Sequence, residues 1–142
     1  ELSPLRLHIA REVLRLPNLV VRGNATEMTA LAFDLAAAEG VTRVTTGKID
    51  RIESGAARFS VAHGHKLMTK VTGVGCAAGA LIAACCAVEA DPAIAAAAAL
   101  TAYGIAGEIA AERARGPGSF AVELVDALAG IDEATLAQHL AE

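Results

Sequence analysis

Apolar residues along this chain follow two rhythms: recurrences every three or four positions, and short unbroken runs. The first predicts helices and the second buried strands. Leu5, Ile9, Val13 and Leu14 recur at helical spacing behind Ser3-Pro4, a cap followed by a first-turn proline, until Pro17-Asn18 stops them. Leu19-Val20-Val21 is a run of the kind buried in a parallel sheet, and Arg22-Gly23-Asn24 reads as the turn that ends it. Residues 26–39 are helix-forming, with Gly40 as terminator, and residues 41–46 form the next strand, closed by Gly47. Helix, strand, turn, helix, strand is the grammar of an α/β sandwich. Residues 48–60, polar and broken at Gly55, predict a hairpin whose inward residues are Ile49, Ile52, Phe59 and Val61.

After Val88 the pattern is helical throughout. Asp91-Pro92 opens a long alanine-rich helix that ends at Gly116-Pro117, and Gly104 and Gly107 within it predict close contact with a neighbouring helix. Gly118-Ser119 reads as the cap of the next helix, with Phe120, Leu124, Val125 and Leu128 facing inward, and Asp132 caps the last one. Strands therefore crowd the first half and helices the second. With neither repeat nor linker, residues 1–142 read as one domain, long enough for a core of its own.

Composition sharpens this. The chain is 54% hydrophobic but only 3% aromatic and has no Trp, so alanine makes up much of the apolar share and close-packed helices on a sheet are expected. A net charge of −4, with twelve Lys and Arg scattered along the chain, argues against a nucleic-acid surface. Three cysteines, two of them adjacent, make no disulfide framework and fit a reducing, cytoplasmic setting. The residues from Glu1 onward show neither a charged n-region nor a cleavage site, so no signal peptide is expected. Ala93 to Leu100 is apolar but too short to span a bilayer, so a soluble protein without membrane contact is expected.

Candidate chemistry gathers in residues 71–88. Gly73 and Gly75 lie one residue apart behind the polar Thr72 and open into an Ala- and Leu-rich helix. Glycines let the backbone turn and approach a ligand, and the helix start offers unpaired N–H groups and the positive end of its dipole. Such a junction can cradle a phosphate, or can simply permit tight helix–strand packing. Cys76 stands in the first turn, where the dipole favours negative charge, and reads either as a reactive thiol or as a small buried hydrophobe. Cys85 and Cys86, mid-helix among alanines, read as packing residues. His63 and His65 could suggest a metal, but no third ligand stands at suitable spacing, and a loop exposing two imidazoles is the simpler reading. Asn24 and Glu27, three apart, share a helix face and suit either a hydrated Mg²⁺ or a helix cap. Arg22 is a phosphate contact or a surface cation at a strand end.

Residues 22–27 (Arg-Gly-Asn-Ala-Thr-Glu), Thr46-Gly47 with Asp50, residues 64–76 (Gly-His-Lys-Leu-Met-Thr-Lys-Val-Thr-Gly-Val-Gly-Cys) and residues 116–120 (Gly-Pro-Gly-Ser-Phe) stand in an order that resembles hydroxyethylthiazole kinase, of the ribokinase-like superfamily. The resemblance covers nearly the whole chain. It implies a three-layer α/β/α sandwich, of which residues 1–142 would be the C-terminal portion. It further implies ATP-dependent phosphorylation of the primary alcohol of 4-methyl-5-(2-hydroxyethyl)thiazole in thiamine salvage, Mg²⁺ as cofactor, and a homotrimer with active sites at subunit interfaces. By position, Arg22 and Thr46 would contact ATP, Asn24 and Glu27 would organise Mg²⁺, Gly73 would line the thiazole alcohol site, and Cys76 would be the base. The family's chains are about twice as long, and the Gly-Val-Asp-Ser element expected between Glu27 and Val41 is missing here, so an incomplete portion of the fold is implied. Two alternatives stand beside this: a related small-alcohol kinase, for instance one acting on a hydroxymethylpyrimidine, and a non-catalytic fragment for nucleotide binding or assembly.

Overall fold

A computed structural model describes residues 3–141. Its centre is a four-stranded sheet in the order β1 (Val20–Asn24), β2 (Thr42–Thr46), β3 (Asp50–Ser54) and β4 (Ala57–Val61). The first two strands are parallel and the rest antiparallel. Helices α1 (Pro4–Val13), α2 (Ala25–Ala30) and α3 (Ala32–Ala37) precede β2, and α4 (Val74–Cys86), α5 (Pro92–Arg113), α6 (Pro117–Ala129) and α7 (Glu133–Leu140) follow the sheet. Alternation along β1 assigns the layers, since successive strand residues face opposite sides. Val21 joins the cluster of Leu31, Leu35 and Val41, with Leu7 and Leu14 of the α1 segment. Val20 joins the larger cluster built on Val44, Ile52 and Val61 with Ile82, Leu100, Tyr103, Phe120 and Leu124. The sandwich is therefore α/β/α, as the pattern and the resemblance implied.

Several expectations need correction. Arg22, Gly23 and Asn24 are the last residues of β1, not a turn, because β2 pairs with them through Thr46. The helix expected over residues 26–39 is broken at Leu31 into α2 and α3. On α1 the row Leu5, Ile9 and Val13 faces outward, while Leu7, Ala10 and Leu14 make the contact with the sheet. Ile52 and Val61 are buried as expected, but Ile49 and Phe59 are exposed, the latter because β4 is an edge strand. Val125 is likewise exposed while Phe120 and Leu124 are buried. Helix α6 begins at Pro117 rather than behind Gly118-Ser119, and the Ser119 hydroxyl turns back to accept from the amides of Arg115 and Gly116.

The longest helix, α5, has 22 residues, so length alone would let it cross a membrane. Here it is the core helix: Ala93, Ala96, Ala99, Leu100, Tyr103 and Ala106 are buried in the main cluster. Its two glycines meet the segment before α4 rather than a neighbouring α-helix. A Cβ on Gly104 would lie 2.6 Å from His63 Cβ and 2.7 Å from the His63 carbonyl, and one on Gly107 would lie 2.6 Å from Met68 Sδ. The small residues thus bring residues 63–70 down onto α5, and Glu108 fastens them, accepting at 2.7 Å from the Gly64 amide.

Candidate active site

Parallel strands end side by side, and in open α/β sheets that edge is where ligands bind. At this edge the Arg22 guanidinium donates from Nη2 to the Thr46 hydroxyl at 3.2 Å, and the Thr46 hydroxyl lies 3.4 Å from the Gly23 carbonyl. Gly47 follows, its amide donating to Asp50 Oδ1 at 2.8 Å. Burial raises the Asp50 pKa, opposed by the Gly47 hydrogen bond and by the charge of Arg22. Arg22 Nε is buried without a partner among the described residues.

The glycine junction comes to the same place. Gly73, left-handed at φ +92°, turns the chain into α4, whose start carries no side-chain cap. The first-turn amides of Val74, Gly75 and Cys76 are thus the orphan donors of a helix N-terminus. The Arg22 guanidinium lies against this turn: Nη1 is 3.1 Å and Nη2 3.3 Å from where a Gly75 Cβ would be. Glycine at 75 is therefore what admits the cation. The structure brings together Arg22, Thr46, Gly73 and the first turn that carries Cys76, which is exposed. Positive charge, a hydroxyl and backbone amides converge there, an arrangement suited to an anion.

Asn24 and Glu27 take the form of a capping box at the head of α2. Asn24 Oδ1 accepts from the Glu27 amide at 3.0 Å, and Glu27 Oε2 accepts from the Asn24 amide at 2.8 Å. Each side chain gives one oxygen to the backbone, and Glu27 Oε1 makes no hydrogen bond among the described residues. His63 and His65 are not displayed as a pair. His63 Nδ1 lies 3.4 Å from Glu108 Oε2, and His65 Nδ1 accepts from the Leu67 amide at 3.3 Å. Among the described residues no group of three His, Cys, Asp or Glu could hold a metal. Cys85 and Cys86 are half-buried against the main cluster, as expected of packing residues, and burial pushes the Cys85 thiol up.

Sequence reasoning missed Tyr103. It is the chain's single tyrosine, 3% exposed on α5, and its hydroxyl donates to the Val74 carbonyl at 2.9 Å. A lone aromatic hydroxyl amid alanines and glycines was the available signal, because a buried phenol needs a partner. A groove of about 340 Å³ lined by Val20, Arg22, Gly79, Ile82, Ala83 and Cys86 runs between β1 and α4 up to the arginine. A second hollow, lined by Gly40, Arg43, Glu53, Gly55 and Arg58, lies at the opposite end of the sheet, away from these groups.

Comparison with known proteins places this chain in a family. The hydroxyethylthiazole kinase family profile matches residues 30–134. A hydroxyethylthiazole kinase of Granulibacter bethesdensis is 42% identical over 153 residues, covering 92% of this chain and 56% of that protein. A probable hydroxyethylthiazole kinase of Agrobacterium fabrum is 41% identical over 137 residues, covering 96% and 54%. The solved structure of a hydroxyethylthiazole kinase from Pyrococcus horikoshii OT3 superposes with a TM-score of 0.88 at 34% identity, over 95% of this chain and 58% of that one. The chain spans a little over half the length of the curated relatives it matches. From the profile, the identities and the superposed fold together, this chain belongs to the hydroxyethylthiazole kinase family.

Proposed function

We propose that this chain supplies the phosphate-holding side of a kinase that transfers the γ-phosphoryl group of ATP to the hydroxyl of 4-methyl-5-(2-hydroxyethyl)thiazole. The observation that carries the reading is the meeting of Arg22, Thr46 and the uncapped first turn of α4 at the end of the parallel strands. Phosphoryl transfer needs little covalent chemistry from the protein; positioning and charge stabilisation do most of the work. The amides of Val74, Gly75 and Cys76 hold the equatorial oxygens as charge builds there, and Arg22 shares that charge. The alcohol oxygen bonds to phosphorus, the bond from phosphorus to the ADP oxygen breaks, and the alcohol proton passes to the sulfur of Cys76, which takes it up as the thiolate and becomes the thiol, exposed in the same turn. Gly73 leaves room beside it: apart from its own chain neighbours, no atom lies within 4 Å of where its Cβ would be.

Mg²⁺ bound with ATP neutralises phosphate charge in such reactions. The residues here fit a hydrated ion held mainly by the nucleotide, since Mg²⁺ keeps several waters and takes one or two carboxylates. Glu27 Oε1 is the oxygen available to it, with Asn24 holding the glutamate in place. Homotrimeric assembly belongs to the same proposal, and the exposed Phe33, Val122 and Val125 offer apolar surface for it. The three free thiols suit a cytoplasmic setting.

The test is to supply ATP, Mg²⁺ and the thiazole alcohol to the purified chain and follow ADP and the phosphate ester together, with ATP affinity measured by titration calorimetry. Ester formation supports the kinase. Binding of ATP without turnover would favour a second reading, a nucleotide-binding fragment, which the coverage of little more than half of each relative motivates. Turnover of a hydroxymethylpyrimidine in preference to the thiazole would instead give the related small-alcohol kinase.

A further inference from the structure

We infer that Tyr103 is a positioning residue for the amide cradle, acting through the Val74 carbonyl; the inference rests on the reading of the α4 start as a phosphate site. Val74 is the first residue of α4, and Tyr103 reaches it from α5 across the core, hydroxyl to carbonyl at 2.9 Å. A helix hydrogen bond uses one lone pair of a carbonyl oxygen and leaves the second for a side chain. The peptide unit joining Val74 to Gly75 is planar and trans, so its C=O and its N–H point in opposite directions. Holding the carbonyl from below therefore fixes the aim of the Gly75 N–H out of the helix mouth. That amide belongs to the residue against which the Arg22 guanidinium packs.

Three further observations make the anchor specific. The ring is buried in the main cluster, which fixes the direction of the hydroxyl. Burial raises the phenol's pKa, so it stays a protonated donor at neutral pH. No side chain caps α4, so the first turn lacks the local bond that ordinarily fixes such amides, and the phenol holds it from another element.

The experiment compares Tyr103→Phe and Arg22→Ala with the unaltered chain, measuring affinity for ATP and for adenosine, and the Gly75 amide resonance during titration with inorganic pyrophosphate. The expected result for Tyr103→Phe is an unchanged fold by circular dichroism and ATP binding weakened about three- to ten-fold, as for loss of one aimed hydrogen bond. Adenosine binding is unaltered, and the Gly75 shift on adding pyrophosphate is reduced. Should Arg22→Ala weaken ATP binding while Tyr103→Phe leaves both ATP affinity and the Gly75 response intact, the positioning role is wrong and the phosphate site stands. Equal loss of ATP and adenosine binding in Tyr103→Phe would make the tyrosine a packing residue only. Pyrophosphate that moves no first-turn amide in the unaltered chain, with ATP binding indifferent to Arg22→Ala, would sink the site and the inference together.

Discussion

Gly73 and Cys76 sit three residues apart and carry different burdens. Gly73 is at φ +92°, a conformation that costs an L-residue about 1–2 kcal/mol and a β-branched one more. Since no atom crowds its Cβ position, a valine there harms by unwinding the turn that aims the α4 amides and by projecting into the open mouth. Gly73→Val is therefore expected to abolish measurable turnover. Cys76→Ala removes only the proposed late proton acceptor, and the rate should fall by about 10²-fold or less, leaving activity that a coupled ADP assay detects. Glu27→Ala should cost more than Cys76→Ala, because it removes half of the capping box together with the oxygen proposed to face Mg²⁺. Reversal of that order, with the cysteine variant dead and the glutamate variant active, would place the chemistry at the thiol rather than in charge stabilisation. Asp50 adds a pH signature. Its folded pKa is raised by burial, so the folded state holds the proton to higher pH than the unfolded chain. Stability is full below the unfolded pKa and declines as pH rises from there through the folded one. Asp50→Asn should flatten that decline in urea titrations run between pH 3 and pH 7 or so, about the range of perturbed carboxylates; an unchanged slope would remove Asp50 as its cause.

At the scale of elements, what was legible in the sequence was what local chemistry decides. Asp91 caps α5 through the amides of Ala93 and Ile94, Asp132 caps α7, and the parallel pair, the Gly55 hairpin and the left-handed Gly73 all lie where turn residues put them. What escaped depends on partners distant in the chain. Of the row Leu5, Ile9, Val13 and Leu14 only Leu14 faces the sheet, nothing in that spacing says that Leu7 and Ala10 do so instead, and nothing near Val74 announces a tyrosine 29 residues on. The glycines of α5 show the same limit: close contact was legible, but the identity of the contact was not. That contact ranks two substitutions. A methyl on Gly104 meets His63 main-chain atoms at 2.7 Å, which cannot yield without moving the segment that leads to Gly73. A methyl on Gly107 meets the flexible end of Met68. Gly104→Ala should destabilise by about 1–3 kcal/mol, the usual cost of overpacking, and Gly107→Ala by clearly less. Urea midpoints decide it, and equal losses would mean that the loop yields as easily as a methionine.

For the whole molecule, the two faces of the sheet are unequally secured. On one side α4, α5 and α6 bury Ile82, Leu100, Tyr103, Phe120 and Leu124 against Val44, Ile52 and Val61. On the other, Leu31, Leu35 and Val41 are the buried apolar side chains among the described residues, and α1 contributes none. The Arg11–Asp34 ion pair at 3.0 Å ties α1 to α3, but with the arginine side chain half exposed such a pair contributes about 0.2–1 kcal/mol. Local opening costs least where few apolar contacts are lost. The α1–α3 layer should therefore open without the rest: its amides exchange with solvent by a low-energy path, while those of α5 between Ala95 and Ala110 exchange only on global unfolding. Arg22, Asn24 and Glu27 sit where the two regions join, so nucleotide binding should slow exchange in α2 more than in α5. Hydrogen exchange followed by mass spectrometry, with and without ATP and Mg²⁺, reads both effects. Uniform protection across α1 and α5 would mean that the thin layer is held by more than its visible contacts, and protection by ATP confined to α7 would place the nucleotide away from the Arg22 edge.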